Sequence, residues 1–239
     1  MPAHDAASPL PLPAAGANAP DPGPEPGPVA DAGPGVESEE APGRRRPSPR
    51  VDPGALEIEP ARAVHARGIV ELRDRLARWM IGRGIDQWRE GEYAVEHVAQ
   101  EVERGEWWVV ESPEDPARVL ASVRVIWEDP EIWGEQPVPA GYIHGVAVDR
   151  SLSGTGTGSR LVRAAERAIA ASGRTVARLD CDVTSPPLQP FYTGLGYSPR
   201  GAVDFDVPGM DYRVRVMRME RSLPQPTDPA DSPQQRARS

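Results

Sequence analysis

The sequence predicts an α+β fold in which helices are layered on a mixed β-sheet, flanked by two segments that do not fold. Short runs rich in Val, Ile and Trp interleave with longer amphipathic stretches of helical period. Their order, β-α-α-β-β-β-α-β-α-β-β, is that of a layered α+β domain. Residues 1–54 and 222–239 are instead dominated by Pro, Ala, Gly and acidic residues. Such segments bury too little apolar surface to offset their chain entropy, so both are predicted to be disordered. The folded domain is placed at residues 55–221, a size at which one core buries roughly two-thirds of the chain surface.

Leu56 to Pro60 reads as a short first strand. From Ala63 to Ile81, apolar Ile69, Leu72, Leu76, Trp79 and Met80 recur at three- and four-residue steps, and Gly82 and Gly84 stop the helix. Val95, Val98 and Val102 form the stripe of a second helix, closed by Gly105. Trp107–Glu111 and Arg118–Trp127 read as strands joined by a Ser-Pro-Glu-Asp-Pro turn. Tyr142–Val148 is the next strand and residues 156–171 the next helix, stopped by Gly173. From Val176 to Val183 the pattern alternates: Ala177, Leu179, Cys181 and Val183 share one face, Arg178, Asp180 and Asp182 the other. A short helix follows, then strands at 202–207 and 212–219 around Pro208-Gly209, a hairpin signal.

A net charge of −9 argues against a nucleic-acid footprint, and Arg44-Arg45-Arg46 reads as a solvated run. Cys181 is the single cysteine, so no internal disulfide forms, which suits the cytoplasm. No secretory pattern opens the chain, and no run approaches the ~20 apolar residues of a membrane span.

The functional signal is concentrated in Tyr142–Leu161, YIHGVAVDRSLSGTGTGSRL. Glycines at 154, 156 and 158 let the backbone pass close to a ligand, and the helix behind them offers unpaired N–H groups and the positive end of its dipole. That is a device for holding phosphate. A P-loop needs a lysine, and the chain contains none, all 27 basic residues being arginine. A dinucleotide turn needs GxGxxG directly after its strand, with an acidic residue such as Asp180 further on; here the spacing is GxGxG and a polar connector intervenes. A plain turn before a surface helix remains open, as does a cradle for the pyrophosphate of coenzyme A.

Val146-Ala147-Val148-Asp149-Arg150 followed by SGTGTGSRLVRAAE resembles motif A of the GNAT superfamily of N-acetyltransferases, with Gly156 and Gly158 on the family's glycines and Ser153 where Arg or Gln is usual. Leu188–Tyr197, LQPFYTGLGY, is similar to the family's motif B, with Ser185-Pro186-Pro187 where an Asn is frequent. The resemblance implies a GNAT-like acyl-CoA acyltransferase fold with a mostly antiparallel central sheet. It implies acetyl-CoA as co-substrate and no metal. The pantetheine arm would lie along Val146, Ala147 and Val148. The pyrophosphate would rest on Gly154, Thr155, Gly156, Thr157, Gly158 and Ser159, with Arg160 adding charge. Tyr192 falls on the tyrosine many members use as general acid toward the thiolate.

Amine attack also needs a proton acceptor. His144 titrates in the right range and shares a strand face with Tyr142; Glu128, Asp129 and Asp182 are weaker alternatives. Trp88 and Trp133 are expected either in the core or lining the acceptor pocket, and Cys181 in the core. The implied function is direct transfer of an acetyl group to a primary amine of a small molecule or peptide, by a monomer or homodimer. The alternative is a non-catalytic acyl-CoA-binding module of the same fold.

Overall fold

The computed structural model describes residues 54–85, 87–206 and 213–224. Residues 1–53 and 225–239 of the expected tails and the Pro208-Gly209 turn lie outside these residues. The elements are β1 (Glu59–Pro60), α1 (His65–Ile81), α2 (Val95–Glu103), β2 (Trp107–Ser112), β3 (Asp115–Ile126), α3 (Pro130–Trp133), β4 (Gly141–Val148), α4 (Thr157–Ala171), β5 (Val176–Asp182), α5 (Leu188–Gly194), β6 (Ser198–Asp206) and β7 (Arg213–Ser222). The predicted order holds, with one further short helix, α3, between β3 and β4. β1 is reduced to two residues facing Val109 and Trp108 of β2. At the other end β7 runs through Ser222 and Leu223 is 7% exposed in the core, so the domain passes the expected boundary at 221.

One seven-stranded sheet of order β1-β2-β3-β4-β5-β7-β6 organises the molecule. All neighbours are antiparallel except β4 and β5. On one face the apolar stripe of α4 (Leu161, Val162, Ala165, Ile169) joins Ile143, Val146, Leu179, Cys181 and the α5 side chains Leu188 and Tyr192 in the largest core cluster. Gly141 is required beneath it, because a Cβ there would meet Ile169 at 2.3 Å. A second cluster packs Ile69, Leu72, Leu76 and Val98 of α1 and α2 against Val109 and Val119. A third gathers Ile132 and Trp133 of α3 with Tyr142, Phe205 and Val216.

The β4–β5 pairing is short. It joins Gly141, Tyr142 and Ile143 to Ala177, Arg178 and Leu179, although β4 continues to Val148 and β5 to Asp182. Beyond Ile143 and Leu179 the two strands part, and β4 keeps its ladder only with β3, as far as Val148 opposite Ala121. Just past the parting, β4 bulges. Its register against β3 shifts between Ser122 and Arg124, and Gly145 takes φ +59, a left-handed conformation that glycine adopts without a Cβ clash.

Candidate active site

The glycine turn stands at the open end of this parting. Gly154 and Gly156 take φ of +73 and +79, and a Cβ on either would meet nothing within 4 Å, so glycine serves the turn's curvature and leaves open space in front. Gly156 is the N-cap of α4 and no side chain caps the helix, so the first-turn N–H groups of Thr157, Gly158 and Ser159 face forward uncapped. The Thr155 hydroxyl bonds back to the Leu152 carbonyl at 2.6 Å and to Thr157 Oγ1 at 2.8 Å, which stiffens the turn. Gly158 seats α4 against its neighbours, with Phe191 Cζ and Val148 Cγ2 at 3.5 and 3.9 Å from where its Cβ would be. Arg160, expected to add charge to the cradle, directs its guanidinium at the Leu56 carbonyl. Residues and curvature fit a pyrophosphate held by backbone N–H groups at a helix start.

Tyr192 is fully buried on the α4 side of the parting. It makes edge contacts with Phe191 and Tyr197 at ring separations of 5.0 and 6.1 Å. Val146, Ala147 and Val148 line the separated part of β4, and His144 sits at its root, 2% exposed. Cys181 is buried, and burial with the nearby Asp180 and Asp182 carboxylates pushes its thiol up to about 12, which makes it a poor acyl relay.

The structure adds partners that the linear pattern separates. Asp129, at the N-terminus of α3, places Oδ2 3.3 Å from His144 Nε2. Asp180, on β5, places Oδ1 3.9 Å from His144 Nδ1. Asp180 is 0% exposed and Asp129 6%, and neither Asp180 oxygen has a hydrogen-bond partner outside the residue's own backbone. On the charged face of β5, which alternation alone leaves as the polar side of a strand, Arg178 and Asp180 are thus buried. Arg178 bonds Glu220 at 2.9 Å and the Tyr142 hydroxyl at 3.0 Å. Of the other acids considered, Asp182 caps the Thr184 N–H at 2.7 Å and Glu128 lines an outer groove. Trp88 is 1% exposed beneath Arg73, while Trp133 packs edge-on against Tyr142 at 6.1 Å.

Burial alone would lower the His144 pKa, but the facing Asp129 carboxylate, with Asp180 behind it, more than reverses this and raises it. Asp180 is pushed up from 3.8 to about 7, first by burial and then by the like charge of Asp129, with His144 opposing. The three residues bring potential ligand atoms within 4.8 Å of one another, a donor set that also suits a divalent cation. Yet the two carboxylates address opposite nitrogens of one ring, so the imidazole lies between two acids.

With this arrangement in view, likeness to known proteins is informative. Residues 71–197 match the sequence profile described as the acetyltransferase (GNAT) family. The chain belongs to the GNAT family of acetyltransferases. It is 32% identical over 148 residues to the uncharacterized N-acetyltransferase YesJ of Bacillus subtilis, covering 60% of this chain and 82% of that protein. Among solved structures, a GNAT acetyltransferase from Listeria monocytogenes superposes with a TM-score of 0.56 at 20% identity, covering 70% of this chain and 95% of that one. A chain of a NatC complex bound to Gag peptide and CoA gives 0.53 at 14% identity, covering 71% and 99%. These two show the shared fold. Members of the family use acetyl-CoA as co-substrate and act on amines, and this GNAT protein is an acyltransferase of the N-acetyltransferase type. Among the described residues no helix is long and apolar enough to cross a membrane.

Proposed function

We propose that this enzyme transfers the acetyl group of acetyl-CoA directly to the primary amine of a small molecule or peptide, in the cytoplasm. The observation that carries this reading is the parting of β4 and β5, with the uncapped α4 N-terminus at its open end and the Asp129–His144–Asp180 cluster at its root. Acetyl-CoA supplies an activated acyl carbon joined to a good leaving group. The N–H groups of residues 154–159 hold the pyrophosphate. The separated edge of Val146–Val148 offers backbone groups to the pantetheine arm in place of a β5 partner.

The bulge at Gly145 turns the β4 backbone at the point where the carbonyl of the acyl group would lie, which gives fixed N–H dipoles a role in stabilising developing negative charge. Holding both reactants at the parting supplies much of the rate gain by positioning. Tyr192 is assigned as the acid that protects the departing thiolate, and the cluster containing His144 as the proton-accepting centre.

The test is release of free thiol from acetyl-CoA by the purified full chain over a panel of amines. Amine-dependent release supports the reading. Binding of coenzyme A without turnover on any amine would establish the non-catalytic module instead, and absence of binding would overturn both.

A further inference from the structure

The geometry points to a binding site for a divalent transition-metal ion of the zinc class at Asp129, His144 and Asp180, one whose occupation stops acetyl transfer. The family resemblance implies no metal in the reaction, and none is invoked there: the ion acts as a brake. Its binding stands on these residues alone. Only its effect on turnover rests on the reading above, in which this cluster accepts the proton.

The first observation is the number of buried polar atoms that the fold leaves without hydrogen bonds at one point. Asp129, His144 and Asp180 are 6%, 2% and 0% exposed. Both ring nitrogens of His144, Oδ2 of Asp129 and both carboxylate oxygens of Asp180 lack a partner beyond Asp180's own backbone. Asp129 Oδ2 stands 3.3 Å from His144 Nε2, close enough for attraction but out of line for a hydrogen bond. Buried groups in this state cost free energy until a ligand reaches them. With the imidazole neutral, all three side chains offer a lone pair, so the ligand they have in common is a cation.

The second observation is geometry. One donor atom from each residue lies within 4.8 Å of the other two. An ion ~2.1 Å from both Nε2 and Asp129 Oδ2, which are 3.3 Å apart, meets them at close to the tetrahedral angle. Asp180 completes the set with a movement of roughly 1 Å, and water takes the fourth position. Nδ1 has Asp180 Oδ1 at 3.9 Å, so the second nitrogen of a metal-bound ring also faces a carboxylate, which fixes its orientation. One imidazole and two carboxylates suit zinc, cobalt or manganese. Magnesium dehydrates reluctantly and favours oxygen ligands with several waters kept.

The third observation is charge. A doubly charged ion with two carboxylates and a neutral imidazole leaves the buried site neutral. The arginines around it have partners of their own. Arg124 pairs with Glu101 at 2.7 Å and Glu106 at 2.6 Å, and Arg178 with Glu220 at 2.9 Å. Arg218, opposite Asp180 on β7, donates to the carbonyl of Arg200 at 3.3 Å. The way in has the matching sign. Asp129 also lines a groove of about 510 Å³ that carries Glu128 and Glu135, while its one arginine, Arg174, donates to the carbonyls of Trp127 and Ala140. Such a groove concentrates cations from solution. As the ion enters, any proton on the liganding nitrogen or carboxylates leaves to solvent. The ion then holds the lone pairs that would take the proton of the amine, and transfer stops until it departs.

The experiment dialyses the full chain, first stripped with a chelator, against zinc chloride and in parallel against magnesium chloride, and counts the bound metal. One equivalent of zinc and none of magnesium are expected. Asp180→Asn and Asp129→Asn each remove a ligand and should weaken zinc binding by ~100-fold or more, since loss of an outer partner alone costs roughly 10–100-fold. His97→Ala removes the imidazole beside Glu101, outside the cluster, and should bind as wild type does. A zinc-induced rise in melting temperature, present in wild type and His97→Ala and absent from both Asn variants, reports the same site in folded protein. Zinc at ten times its Kd should leave about a tenth of the turnover, and chelator should restore it. Turnover is read as acetylated amine by mass spectrometry, because zinc also binds free thiol. No zinc equivalent in wild type, equal binding of magnesium, or an equivalent that survives both Asn exchanges would overturn the site. Full turnover with zinc bound would overturn the brake. Wild type inactive on every amine without zinc would overturn the acetyltransferase reading and the brake with it, while the dialysis still decides the site.

Discussion

Replacing Asp180 by Asn should make the protein more stable as it makes it less active. An aspartate moved from 3.8 to about 7 has its ionised form disfavoured by about 4 kcal/mol in the folded state. The sign follows from where the proton sits. Below pH 4 both folded and unfolded chains carry it. Between 4 and 7 the folded chain keeps a proton that the unfolded chain has lost, so stability falls as pH rises, and above 7 the full deficit applies. Asparagine mimics the protonated form at every pH. The variant should therefore exceed wild type by about 2 kcal/mol at pH 5 and by up to about 4 kcal/mol at pH 8. His144 loses one of its two carboxylate neighbours in the exchange, which makes these upper bounds. For a domain of this size, 2 kcal/mol corresponds to a melting rise of roughly 4–8 °C. Urea titrations at the two pH values measure the gap directly. A variant no more stable than wild type at pH 8, or a gap that does not widen between pH 5 and 8, would refute the placement of an uncompensated acid at this position.

Further outcomes follow from single residues. Gly145→Ala forces a Cβ into φ +59 and within 3.0 Å of the Trp107 ring; a loss of ~1–3 kcal/mol in urea titration and a fall in turnover are expected, and unchanged values would mean that the bulge tolerates other backbones. Tyr192→Phe should lose turnover while keeping acetyl-CoA affinity in calorimetry, since the fully buried ring stays in place. Arg124→Ala removes the arginine partner, at 2.7 Å, of the buried Glu101 carboxylate and leaves it only His97 and the Trp107 indole N–H; it should cost up to about 3–5 kcal/mol in urea titration. Gly156→Val, at φ +79 on the α4 N-cap, should weaken coenzyme A binding several-fold in calorimetry.

The half of the site proposed to hold the cofactor was legible because it is local. The glycines at 154, 156 and 158 and the aromatic pair at 191–192 sit in short segments whose spacing alone implies a turn, a helix start and a second helix. The proton-handling half was not. Asp129 and Asp180 lie on opposite sides of β4 in sequence and meet His144 only once β4 is paired to both neighbours. Asp180 reads as one of three alternating charges on a strand face, a pattern that ordinarily means solvent. On the same face Arg178 lies over the ring of Trp133 of α3, four residues beginning at Pro130, and a helix of one turn leaves too little periodicity to detect. One local signal does mark the parting: Gly145, inside an otherwise apolar strand, is what a bulge requires. Similarly, Leu56 to Pro60 has strand composition, yet at the sheet edge only Glu59 and Pro60 find partners.

The three residue pairs between β4 and β5 make the sheet mechanically two plates joined by a narrow seam. β1 to β4 form one plate, carrying His144 and, on the adjoining loop, Asp129. β5 to β7 form the other, carrying Asp180. A molecule wedged between them stands in for the missing rungs and couples plates that are otherwise joined by three residue pairs and by the core under α4. Amide exchange along β5 should then slow on ligand binding, even at positions remote from the glycine turn. A mutation that extended the seam would stiffen the protein by closing the gap proposed to hold its substrates.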